Sequence, residues 1–117
     1  MINKDICNNL FDVIYEDYNI NDFTINTQVS EAEKNVICKN FYFLFPFILE
    51  EMTKRQREIL TLKYGYDKNQ CEISEMLIIS QSNVSIHLNA ALKIVKKYYN
   101  IIYRATIFAF RYEKRKD

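Results

Sequence analysis

One glycine and one proline in 117 residues constrain this chain more than any other feature. Tight reversals draw on Gly and Pro for backbone angles that other residues adopt only at a cost. With Gly65 and Pro46 alone, the chain has few places to turn sharply, which predicts long helices joined by short links. Strand signals are weak throughout, and the Ile78-Ile79-Ser80 run is too short to count as one. The residues are 49% hydrophobic, enough to build a core and too many for a disordered chain. The length suits one domain, or two small helical lobes sharing that core.

Apolar spacing and caps place the helices. Ile6, Leu10, Val13, Ile14 and Tyr18 recur at helical steps over Lys4 to Tyr18. Asn19 to Thr27 is polar and predicts a loop. Ser30 and Glu33 have capping-box spacing and open a second helix, with Val36, Ile37, Phe41, Leu44 and Phe45 inward. Pro46 is expected to break or kink it and leave Pro46 to Glu51 as a short separate helix. Thr53 and Gln56 form a second capping pair, starting a helix that Gly65 can terminate, with Ile59, Leu60 and Leu62 buried. Asn69 and Glu72 open a helix of about two turns, with Ile73, Met76 and Leu77 inward. Ser80 can cap the next helix, where Val84, Leu88, Ala91, Leu92 and Val95 repeat. No Gly or Pro follows, so that helix either runs on as one rod or breaks once near Tyr98 to Asn100. The expected class is all-α: a helical domain with a C-terminal helix-turn-helix and a long C-terminal helix. The expected division is an acidic helical segment, 1–52, packing on or extending the core, and a helix-turn-helix unit, 53–117.

The pair of helices meeting at Ile78-Ile79 carries the functional signal. A short bracing helix and a tight turn let a second helix lie in the DNA major groove, about 12 Å wide. Ile73, Met76 and Leu77 would face Val84 and Leu88 across the turn. The outward set is then Gln81, Ser82, Ser85, Ile86 and Asn89. These side chains are small or amide-bearing; Gln81 and Asn89 suit adenine, and Ile86 suits a thymine methyl.

The segment reads Thr53-Lys54-Arg55-Gln56-Arg57-Glu58-Ile59-Leu60, Leu62, Tyr64-Gly65, then Glu72-Ile73-Ser74-Glu75-Met76-Leu77. It continues Ile79-Ser80-Gln81-Ser82-Asn83-Val84-Ser85, His87-Leu88 and Ala91-Leu92-Lys93. In this wording it resembles region 4 of bacterial RNA polymerase sigma factors, the domain that reads the upstream promoter element. The resemblance implies duplex DNA as a partner, with RNA polymerase a further one. Two departures stand out. Ile78 occupies the turn position where the family usually carries Gly, and Ile86 stands where a basic residue is frequent. Residues 1–52 do not match the region that melts the promoter, so the resemblance implies a stand-alone regulator, not a full sigma factor.

Charge follows the same division. Residues 1–52 hold three Lys against nine Asp and Glu; residues 53–117 hold 13 Lys and Arg against six Asp and Glu. A near-neutral pI of 7.6 thus conceals a basic half suited to phosphate. Lys54, Arg55 and Arg57 crowd a helix N-terminus, where positive charge opposes the dipole unless phosphate is near. Lys68, Asn69 and Gln70 begin the bracing helix, where backbone donors also suit phosphate. Lys93, Lys96 and Lys97 extend the recognition helix toward the flanking backbone. An ordinary solvated surface is the plain alternative for each group.

The far end of the chain is richly apolar. Tyr98, Ile101, Ile102, Ala105, Phe108 and Tyr112 form one helical stripe, with Tyr99, Tyr103 and Phe110 off it. That stripe is expected to pack on Leu10, Ile14, Phe41 and Phe45, to form a homodimer interface, or both. The basic end, Arg111 to Lys116, is either a phosphate-seeking tail or a soluble terminus.

Other classes find little support. Cys7, Cys38 and Cys71 form no metal or disulfide pattern and read as reduced thiols of a cytoplasmic protein. His87, the lone histidine, is expected to pack or cap. No acid/base pair, nucleophile elbow or glycine-rich phosphate loop is present, so neither an enzyme nor a cofactor is expected. The apolar run Phe41 to Leu49 is too short to span a bilayer, so no membrane partner is expected. The Asn, Ile, Lys and Tyr content suits an AT-rich bacterial genome, its phage or its plasmid, and a protein near the nucleoid.

Overall fold

The computed structural model describes residues 2–21 and 29–115. It holds five helices, with no strand among the described residues: α1 (Ile2–Asn21), α2 (Glu31–Glu50), α3 (Lys54–Tyr64), α4 (Gln70–Leu77) and α5 (Gln81–Arg115). The all-α class with a long C-terminal helix is therefore established. α5 is one unbroken rod of 35 residues. At 1.5 Å per residue it is about 52 Å long, and it sets the 59 Å long axis of the molecule.

The helices begin where side chains replace missing backbone partners. Ser30, Thr53 and Asn69 each accept the amide of the residue three positions on, and Glu33, Gln56 and Glu72 reciprocate. Ser80 Oγ accepts the Asn83 amide at 3.1 Å and opens α5. Gly65 caps α3 with a right-handed φ of −97°, so its role there does not rest on glycine's special angles.

Two readings of the helix limits need correction. α1 continues to Asn21, past the expected start of a loop at Asn19; residues 22–27 of that loop lie outside the described residues. α2 runs through Pro46 without stopping. Pro46 is exposed, so water can hydrate the Tyr42 carbonyl that the ring leaves unbonded.

The main core joins α1, α2 and the middle of α5. Ile6, Leu10 and Ile14 of α1 meet Ile37, Phe41, Phe45 and Ile48 of α2 around Tyr99 of α5. Aromatic rings interlock there: Phe41 and Tyr99 centroids are 6.3 Å apart and nearly perpendicular, while Phe11 and Tyr99 are 6.0 Å apart. A smaller cluster of Ile59, Ile73 and Val84 locks α3 and α4 to the start of α5, with Leu88 packing against both clusters.

Several expected core positions face elsewhere. Val13 is half exposed, and Cys7 and Phe11 fill the stripe in its place, because the buried face follows the 6, 7, 10, 11, 14 pattern. The Tyr18 side chain lies outside the described residues. Val36, Leu44 and Leu62 are only partly buried, and Met76 is exposed while Ser74 is buried behind it. In α5 the core-packing alternative fails for most of the expected stripe. The buried residues are Tyr99, Ile102, Tyr103, Thr106 and Ile107, whereas Ile101, Ala105, Phe108 and Tyr112 face solvent and Tyr98 is partly buried. Of the expected stripe only Ile102 is core. Tyr99 and Tyr103, expected off it, belong to the packed face. A helix apolar on two sides leaves periodicity unable to say which side meets the core.

Candidate nucleic-acid interface

The unit at residues 69–89 is assembled from three local devices. Ile78, at the C-terminus of α4, has φ 55° and ψ 51°, the left-handed conformation that reverses a chain most compactly. Its side chain is 90% exposed, so the residue gains almost nothing by packing there. A branched residue in this region is disfavoured by roughly 1–2 kcal/mol. The turn thus keeps the left-handed geometry at the position without glycine. A second device is Gln70, whose Nε2 donates to the Gln81 carbonyl at 2.7 Å and ties the first turn of α4 to the first turn of α5. The third is the small core of Ile73 and Val84, both fully buried.

These devices hold the first three turns of α5 with one side free. Val84 and Leu88 face inward; Ser82, Ile86 and Asn89 are exposed, and Ser85 is partly so. Gln81 lies at the edge of that side and is exposed. Ile86 is 63% exposed, an apolar contact in the middle of a polar surface. The five residues named from sequence therefore share one accessible strip. His87 is half-buried beside Leu88.

The basic residues divide by what already engages them. Lys54 is exposed, at the first turn of α3. Arg55 lies 4.0 Å from Glu58, a surface pair of little energetic weight. Arg57 is different: its Nη1 donates to the Leu49 and Met52 carbonyls, each at 3.3 Å. These carbonyls lie in the last turn of α2 and just past its cap; Leu49 O also accepts the Glu51 and Met52 amides. Arg57 thus joins α2 to α3, which accounts for a base at that position without any phosphate. Asn69 is occupied by its capping box, Gln70 by Gln81, and Lys68 is partly buried. Lys93, Lys96 and Lys97 are exposed along α5, where Lys96 reaches Asp17 of α1 at 3.8 Å and Lys97 lies over the Tyr98 ring. Arg104 continues this basic side, its Nε donating to Asn100 Oδ1 at 3.1 Å. Its spacing of seven from Lys97 was the sequence signal for it.

Two depressions of modest depth lie on α3 and its neighbours. One, of about 400 Å³ between α3 and α4, is lined by Lys54, Arg57, Leu62, Met76 and Leu77 among others. Another, of about 620 Å³, is lined by polar residues of α1 and the end of α3, where Asn9 Nδ2 donates to the Tyr64 carbonyl. Among the described residues, no group of three or more His, Cys, Asp or Glu is placed to hold a metal, and no helix is long and apolar enough to cross a membrane.

Comparison with known families agrees with this geometry. Residues 48–97 match the family described as sigma-70, region 4, from the end of α2 through α3 and α4 to the middle of α5. The matched family is a DNA-binding, non-enzymatic helix-turn-helix domain of sigma factors. No curated protein and no solved structure matches the chain.

Proposed function

We propose that the sigma-70 region 4 segment at residues 48–97 makes this chain a transcription regulator that reads duplex DNA in the major groove. The observation that carries this reading is the strip of Gln81, Ser82, Ser85, Ile86 and Asn89, accessible on a helix whose other side is locked by Val84 and Leu88. Amides at Gln81 and Asn89 offer the donor and acceptor pair that adenine presents in reverse, and Ile86 offers a surface for a thymine methyl. Lys54, Arg55, Lys93, Lys96 and Lys97 would meet phosphate on either side of the strip; Arg57 and Gln70 act as braces. In this reading residues 1–52 buttress α5 and stay off the DNA, as their acidic charge suits. The protein would work in the bacterial cytoplasm at the nucleoid, whether encoded by a chromosome, a phage or a plasmid.

The test is fluorescence anisotropy with labelled fragments from upstream of the protein's own gene, at two salt concentrations. Saturable binding that prefers one fragment to scrambled DNA and weakens by about 0.9 log units per contacted phosphate for each log unit of salt supports the reading. Gln81→Ala, Ser85→Ala and Asn89→Ala together should weaken binding to the preferred fragment by roughly 1–3 kcal/mol for each good base pairing they remove, with little change on scrambled DNA. An equal weakening on both would remove those residues from the reading set.

A second reading is a module that docks on RNA polymerase or a ribonucleoprotein without reading sequence. The apolar floor of the α3–α4 depression, Leu62, Met76 and Leu77, favours it. Adding polymerase to the anisotropy assay separates the two: sequence preference that appears only with polymerase supports the second.

A further inference from the structure

One side of α5, from the end of the matched segment onward, repeats with the period of a coiled-coil seam. Ile94, Tyr98, Ile101, Ala105, Phe108 and Tyr112 follow one another at steps of four, three, four, three and four, the a and d positions of successive heptads. Ile94 and Tyr98 are partly covered by the core. Further along, Ile101 is 54%, Phe108 68% and Tyr112 50% exposed. The packed residues Tyr99, Tyr103 and Thr106 occupy the opposite side of the rod, with Ile102 between the two, so the seam is no overflow of the core. Phe108 and Tyr112 stack at 5.3 Å, and beside them an apolar depression of about 230 Å³ is lined by Ile107, Phe108, Arg111 and Tyr112. A depression between successive seam residues is what a facing helix needs to seat a side chain.

Charge decides the occupant. Lys97, Arg104 and Arg111 hold the position before each a residue, forming a basic row along one edge of the seam. Arg111 is fixed there by Glu33, 3.6 Å from its Nε. The other flank carries Val95 and Ile102, which are buried in the core, and exposed Ala109, with no charge. A second copy lying antiparallel would set basic row against basic row. In a parallel copy the positions facing Lys97 and Arg104 are Ile102, buried in the core, and Ala109, so neither base meets an acid. Arg111 already has Glu33; neither arrangement answers Lys97 and Arg104, whereas a helix with Glu or Asp along one edge answers both.

We propose that this α5 face is a docking surface for a partner protein's amphipathic helix, one whose apolar a and d positions are edged by acidic residues. The exposed part of the seam, Ile101 to Tyr112, lies beyond the matched segment, and Lys97 at its near end is shared with the proposed phosphate contacts. In this proposal the heterotypic seam takes the place of the homodimer interface that the apolar stripe suggested as one alternative.

The test uses the full chain and two designed four-heptad peptides with Ile and Leu at a and d. One carries Glu at every e and g position, the other Lys, so each repels its own copies. Fluorescence anisotropy should show saturable binding of the Glu peptide at least tenfold tighter than the Lys peptide. Phe108→Asp and Ala105→Asp should each abolish it with an unchanged thermal melt, since both residues are exposed. The double variant Lys97→Glu, Arg104→Glu should reverse the preference toward the Lys peptide, which a purely structural role for those residues would not do. Absent binding, equal binding of both peptides, or no reversal overturns the proposal. A dimer in sedimentation equilibrium without peptide that Phe108→Asp dissolves also overturns it, in favour of a second copy. Loss of DNA affinity in the charge-swap variant, without any peptide binding, overturns it in favour of nucleic acid.

Discussion

Ile78 is the residue at which backbone geometry and side chain disagree. Its left-handed angles place a branched side chain against its own carbonyl, and its 90% exposure denies it any packing in return. Ile78→Gly should therefore raise stability by about 0.5–1 kcal/mol in urea denaturation, the relieved strain exceeding the entropy glycine adds to the unfolded chain. A lower urea midpoint would show that the turn is not disfavoured by its side chain. Cys7 is perturbed differently: burial, reinforced by Cys38, pushes its thiol up to about 12. Cys38 and Tyr64 are also raised, each mainly by burial. A raised acid favours the folded state while it stays protonated. That contribution is complete below the ordinary thiol range near 9 and is lost as pH climbs toward 12. Urea midpoints should fall across that window, and Cys71, which is exposed, should react with a thiol reagent at pH 8 while Cys7 does not.

At the scale of elements, caps and breakers differ in how well they forecast. The three capping boxes stand where Ser30, Thr53 and Asn69 placed them, because a cap acts within four residues and needs no distant partner. Asn69→Ala should reduce stability by about 1 kcal/mol in denaturant titration. Pro46 forecast badly. A proline forbids one backbone bond and crowds one turn, but it does not forbid a helix whose other side is held by Phe41, Phe45 and Ile48 in the core. Pro46→Ala should accordingly stabilise the protein by roughly 1–3 kcal/mol, by restoring that bond at an exposed position. An unchanged melting temperature would mean that α2 already accommodates the ring without loss.

At the scale of the molecule, the acidic first half and the helix-turn-helix are joined through one rod, α5. Phe41, in the segment without family match, packs on Tyr99, in the same helix that carries Gln81 to Asn89. Phe41→Ala should lose about 3–5 kcal/mol. The family-matched segment keeps its own small cluster of Ile59, Ile73 and Val84. If one core governs the whole, circular dichroism and DNA anisotropy should lose signal at the same temperature in this variant. Separate transitions would show that the matched segment folds by itself.

What the sequence determined is local. The absence of Gly and Pro beyond Gly65 made α5 long, the caps set where four helices start, and the ordered residues from Thr53 to Lys93 identified the helix-turn-helix, because each depends on neighbours a few positions away. The outward strip of α5 was legible for the same reason: Val84 and Leu88 mark its inner side unambiguously. Beyond Tyr98 that rule failed, since apolar residues lie on two sides of the rod and a period of 3.6 cannot rank them. Only the placement of α1 and α2 decided that Tyr99 and Tyr103 are core and that Ile101, Ala105, Phe108 and Tyr112 are surface. Likewise only the tertiary structure shows that Arg57 donates to the Leu49 and Met52 carbonyls. Burial is a property of what packs against a side chain, and that is settled by tertiary structure.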